Sequence, residues 1–176
     1  MLYAHEGLKF TLAVFILISR LGDIGSTYLA SPKLELESNG VIRRLRWPFA
    51  ALTILVFVVP YWDIGAGIVI MVASLLVAAS NSGKIWLIRA MGETEYYALM
   101  VRMAARAKPG PSLIYSLMPA LFMSILGETV MYLYPSEHTD LGYHVGLGIL
   151  GYALVVAFYG PTTFLRYRKA SQAQQA

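Results

Sequence analysis

From Phe49 to Ile88 the chain is apolar almost without interruption. A single α-helix over that run would be about 60 Å long, roughly twice the hydrocarbon thickness of a bilayer. A soluble domain of this size has no interior large enough to hide so much apolar surface. The run is therefore expected to cross a membrane twice. Pro60-Tyr61-Trp62-Asp63 supplies the joint, with a helix breaker, two aromatics suited to the interface and a charge. Residues 48–62 and 64–88 are the two resulting spans. The first is short, and a re-entrant segment is its competing reading.

Three more stretches are long and apolar enough to span: 8–30, 113–134 and 141–164. The chain is 57% hydrophobic and 14% charged, against about a quarter charged in soluble domains. It has no cysteine, which excludes disulfides and thiolate metal centres. The first apolar run has no basic leader and reads as a retained helix. The expected class is all-α: a polytopic membrane protein with five transmembrane helices. Residues 1–165 form one helical domain, and 166–176 form a cytoplasmic tail.

Charge sets the direction. Five spans put Lys33, Arg43, Arg44 and Arg46 on the same side as Arg89, Arg102, Arg106 and Lys108, and as Arg166, Arg168 and Lys169. Asp63, Glu137 and Asp140 fall on the other side, with Lys9 alone near the N-terminus. A four-span arrangement would divide the basic clusters. The positive-inside rule then places the N-terminus outside and the C-terminus in the cytoplasm, in a prokaryotic cytoplasmic (inner) membrane. Trp47, Trp62 and Trp86 lie near span ends, as aromatic belts require.

The segment 93–107 differs. Leu99, Met100, Met103 and Ala107 recur at helical spacing among Glu95, Arg102 and Arg106, which reads as an amphipathic helix on the inner membrane surface. A plain connecting helix is the alternative. The polar end from Ser171 onward reads as disordered.

Two polar constellations stand out. Arg20, Asp23 and Thr27 share one face of the first span, with Ser19 and Ser26 beside them. Asp23 lies about 22 Å along from Leu8, in the inner part of the bilayer. Ionisable groups at that depth need a partner or a wet cavity. An Arg20–Asp23 pair that neutralises itself and joins helices is the plainer reading. The following loop adds Glu35, Glu37, Asn39, Arg43 and Arg44, and the inner end of the third span adds Asn81 and Lys84. Carboxylates and amides suit a divalent cation, and guanidinium groups suit phosphate. On this reading Asp23, Glu37, Asn39 and Asn81 are candidate catalytic groups. Arg20, Arg43, Arg44 and Lys84 are candidate substrate-binding groups. The alternative makes Glu35 and Glu37 solvated loop residues and the arginines topology signals.

Asp23-Ile-Gly-Ser-Thr27, followed by Glu37-Ser-Asn39 and a second apolar helix, resembles a family of small uncharacterised prokaryotic membrane proteins. Their pattern is Asp-x-x-x-Thr near the end of a first helix, then Glu-x-Asn-Pro. Gly40 stands here where that pattern has proline. The resemblance points to the same positions and implies no activity.

The second constellation is outer. His5, His138 and His144 map there with Glu6, Asp63, Glu137 and Asp140. His5, His138, Asp140 and His144 are candidate ligands for zinc, copper or iron. Asp140 is equally suited to capping the fifth span. Glu128 lies within the fourth span, a candidate proton carrier, cation ligand or helix contact.

Gly142-x-x-x-Gly146, Ala153-x-x-x-Ala157 and Ala79-x-x-x-Gly83 permit close helix approach, within the chain or between subunits. Pro119 and Pro161 are expected to kink their helices. Phosphate-loop, nucleophile-elbow and zinc-protease motifs are missing from the sequence, as is any basic patch suited to nucleic acid.

Three functions compete. One is a cation-assisted enzyme acting on a lipid or isoprenoid phosphate, with the surface helix as a wall of its entry. The second is a small cation- or proton-coupled transporter or channel, with Glu128 and Asp23 along the ion pathway. The third is a non-catalytic subunit of a larger membrane complex. Membrane lipids, a second copy of the chain and other membrane polypeptides are the expected partners.

Overall fold

The computed structural model describes residues 2–134 and 141–173, with side chains from Glu6 onward. Six α-helices and one 3₁₀ segment make up these residues. The helices are α1 (Leu2–Ala30), α2 (Gly40–Leu52), α3 (Ile64–Met91), α4 (Glu93–Arg106), α5 (Pro109–Leu133) and α6 (Leu141–Ala173), and the 3₁₀ segment is Thr53–Tyr61. Three helices, α3, α5 and α6, are long and apolar enough to cross a membrane. Large apolar side chains face outward on several helices, including Phe10, Phe122, Leu154 and Phe158, each more than half exposed. A surface that apolar suits lipid rather than water.

The long helices form a row in the order α5, α6, α3, α1, and the 3₁₀ segment packs on α1 and α3. Leu12, Ile16 and Ile68 form the core there, covered by Val56 and Phe57 of the 3₁₀ segment. Between helices in lipid, apolar burial drives little, so close packing and hydrogen bonds decide the fit. Glycines provide the close approach. A Cβ on Gly67 would sit 2.8 Å from Pro60 Cγ and 3.1 Å from Leu12 Cδ2. One on Gly146 would sit 2.5 Å from Met131 Cγ and 2.8 Å from the Gly127 carbonyl oxygen. One on Gly148 would sit 2.7 Å from Val72 Cβ. The Gly142/Gly146 stripe thus packs inside the chain. At Ala79 and Gly83 the small-residue face is exposed.

The second expected span takes another form. α2 begins at Gly40, ahead of the expected start at Pro48, and breaks at Arg46, whose φ is 60°. Pro48 follows two residues later and cannot donate to the preceding turn. The chain then tightens into nine residues of 3₁₀ helix, longer than the usual three or four. The break at 60–63 is where expected, and Asp63 caps α3 by accepting from the Ala66 amide at 3.0 Å. The amphipathic helix 93–107 is α4, with Val101 and Ala104 buried against Tyr167. Gly92 joins it to α3 at φ 87°, a conformation that favours glycine. The expected tail is helical as far as Ala173, with Ser171 buried. Helices α5 and α6 both run on through their prolines, Pro119 and Pro161.

Candidate functional site

The ends of α1, α3 and α6 and the starts of α4 and α5 lie on one side of the molecule, at the same ends of the helices. Residues 31–39 lie among them. This loop is held by Glu93, the first residue of α4. Its carboxylate accepts from the Ser31 hydroxyl, from the Lys33 amide at 2.9 Å and from the Glu35 amide at 2.8 Å. Ser31 Oγ accepts in turn from the Leu36 amide at 3.0 Å. Leu34 turns the loop with φ 61° and is only 3% exposed. The left-handed backbone costs a leucine about 1 kcal/mol or more, which burial of its side chain helps to offset.

Above the loop, Arg20 joins three elements. Its Nη1 donates to the Asp23 carboxylate and, at 3.3 Å, to Ser74 Oγ of α3. Its Nη2 donates to Thr53 Oγ1 of the 3₁₀ segment. The Arg20 and Asp23 side chains are 17% and 14% exposed. This is the neutralising, helix-joining pair that the spacing allowed, and it commits Arg20 to the fold. Nearer the loop, Asn81 Nδ2 donates to Thr27 Oγ1 at 3.0 Å, tying α3 to α1.

Glu37 and Asn39 organise the start of α2. Glu37 Oε1 accepts from the Asn39 amide at 2.7 Å, and Asn39 Oδ1 accepts from the Val41 amide at 2.9 Å. The Glu-x-Asn pattern is thus a helix cap here, with Asn39 at the N-cap position. Two guanidinium groups converge on the Glu37 carbonyl oxygen: Arg166 Nη1 of α6 at 2.6 Å and Arg43 Nη1 of α2 at 3.5 Å. Arg166 Nη2 also reaches the Glu35 carbonyl oxygen at 3.4 Å. Among the described residues neither arginine has a carboxylate partner, and Arg166 Nε is buried without a hydrogen bond.

Of the residues expected at the inner site, Arg20 and Asp23 form one group, and Glu37, Asn39 and Arg43 an adjoining one. Asn81 is linked to the same face of α1. Arg44 and Lys84 are exposed and join neither group. Sequence reasoning missed Glu93, Thr53, Ser74 and Arg166. Only Glu93 left a local trace, as an acid opening a helix after glycine.

The outer cluster is less complete. His138, Asp140 and the His5 side chain lie outside the described residues. The His144 ring packs on Gly65, where an added Cβ would come 2.1 Å from its Nε2, and it meets Tyr143 edge to face. Among the described residues no group of three or more His, Cys, Asp or Glu side chains is placed to hold a metal ion. Glu128 is exposed on α5. It stands at the opposite end of the helix row from Asp23, with α6 and α3 between.

Set against protein-family models, curated proteins and solved structures, the chain matches none, so the resemblance at Asp23-x-x-x-Thr27 rests on those residues alone.

Proposed function

We propose that this chain is an integral membrane protein whose cytoplasmic end binds and acts on a lipid or isoprenoid phosphate with a divalent cation. The observation that carries the reading is the convergence of Arg43 and Arg166 on the Glu37 carbonyl oxygen, with no salt bridge to either among the described residues. Two like charges held together favour an anion, and planar guanidinium groups match phosphate oxygens. Glu37 supplies a carboxylate beside the two guanidinium groups, and a divalent cation held there would offset phosphate charge.

Five crossings, N-terminus outside, fit this reading. α1 has 29 residues and packs along α3, one of the three long apolar helices. Residues 47–61 total about 27 Å, counting about 1.5 Å per α-helical and 2.0 Å per 3₁₀ residue. That nearly matches a core of about 30 Å. The 3₁₀ winding thus stretches a short segment toward a full crossing. A prokaryotic inner membrane is the setting in which the basic ends face the cytoplasm.

The test is native mass spectrometry and phosphate release with farnesyl diphosphate or phosphatidic acid, with and without Mg²⁺. The wild-type chain is expected to retain and turn over a phosphate-bearing probe only with Mg²⁺. Arg43→Gln and Glu37→Gln should each lose at least tenfold. A well-folded wild-type chain that neither binds nor turns over either probe overturns the reading.

One observation favours the subunit reading as a companion. α5 packs chiefly on α6, and Glu128 is exposed on it among apolar side chains with no partner among the described residues. A carboxylate facing lipid is costly. A second copy or another membrane polypeptide on that face would remove the cost, and cross-linking from Ile125→Cys would detect it.

A further inference from the structure

A second surface at the same end of the molecule lies on the other side of α6. Helices α4, α5 and α6 enclose a groove of about 540 Å³, lined by Met100, Met103, Tyr115, Gly160, Phe164 and Tyr167 among others. That volume falls within the range of about 300–1,000 Å³ typical of small-molecule sites. The groove opens outward, since Met103 and Tyr115 are 56% and 71% exposed. Its floor is set by close helix approach: a Cβ on Gly160 would come 2.8 Å from the Ser116 carbonyl oxygen. The methionines at its rim adapt readily to flexible apolar ligands.

The joint between α4 and α5, at one edge of the groove, is cationic. Arg106 and Lys108 flank Ala107, a lining residue, and both are exposed. Arg168 donates to the Ala107 carbonyl oxygen at 2.9 Å and fixes the joint between α4 and α5. The acids of α4 are at its far end, and one of them, Glu93, is committed to the loop. An apolar slot with cations at one side complements a ligand with a hydrocarbon tail and an anionic head.

We propose that this groove holds one acyl chain of an anionic phospholipid, its phosphate drawn to Arg106 and Lys108. The inference goes beyond the phosphate site at Glu37 and fails or stands separately from it, because the groove uses neither Arg43 nor Glu37. The test is native mass spectrometry of the full chain in mild detergent with phosphatidylglycerol or phosphatidylcholine. Wild-type protein is expected to retain one phosphatidylglycerol in preference to phosphatidylcholine. Arg106→Gln with Lys108→Gln should weaken that retention about tenfold. Met103→Trp, which fills the groove from an exposed position, should weaken it similarly. If Met103→Trp lowers the thermal midpoint, the charge variant alone decides. Equal retention of the two lipids by the wild type, or unchanged retention in the charge variant, overturns the proposal.

Discussion

Both halves of the helix row use glycine for close approach, but they differ in what is added to it. Where α1, the 3₁₀ segment and α3 meet, a guanidinium joins three elements through Asp23, Ser74 and Thr53. Where α5 meets α6, polar links give way to glycine. Gly127 and Gly146 let the backbones approach until an added Cβ on either would come within 3 Å of the other's carbonyl oxygen. The first device depends on matched charges and tolerates little loss. The second depends on an absent side chain and tolerates little gain. Polar groups that hold helices together are available for chemistry only where some lack an opposite charge, and among the described residues Arg43 and Arg166, below the Arg20 network, have no salt bridge.

The contrast can be broken most severely at Arg20. Arg20→Ala should cost about 3–5 kcal/mol by leaving Asp23 buried and unpaired, read as a lowered thermal midpoint in detergent. Replacing both partners, as Arg20→Met with Asp23→Leu, should recover most of that loss. In the other half, Gly146→Leu should cost at least about 1–3 kcal/mol by overpacking against α5. Glu93→Gln comes next. It keeps the side-chain shape but removes the charge from three hydrogen bonds, a loss of about 1.5–3 kcal/mol if the loop cannot adjust. Faster amide exchange over 31–37 would mark that loss as local. The smallest effect belongs to Gly151→Ala. No atom lies within 4 Å of its added Cβ, and the change should fall within about 0.5 kcal/mol of neutral.

The same contrast separates what was legible in the sequence from what was not. Long apolar runs and their breaks mark α3, α4 and α5 to within a few residues, and the start of α6, because length and hydropathy are local properties; α6 runs on to Ala173, past its expected end at 164. The Arg20–Asp23 pair was legible for the same reason, being three apart on one helix. The 3₁₀ winding of 53–61 was not, since it answers to tertiary fit, including the seat of Pro60 on Gly67. Glu93 and Arg166 act on loop residues distant in sequence, at Glu35 and Glu37. No spacing rule links positions that far apart. The Glu-x-Asn pattern suits chemistry by composition, and in the structure its first duty is to cap α2.

On the proposed function, the basic ends of the helices and the site between them share the cytoplasmic face. The chain has no native cysteine, so single introduced cysteines report cleanly. Trp62, at the opposite end of α3 from the site, is 80% exposed, and Lys169 is exposed near the end of α6. A membrane-impermeant maleimide should label Trp62→Cys in intact cells and Lys169→Cys only after permeabilisation. Equal labelling of both in intact cells, or the reverse order, would contradict the claim.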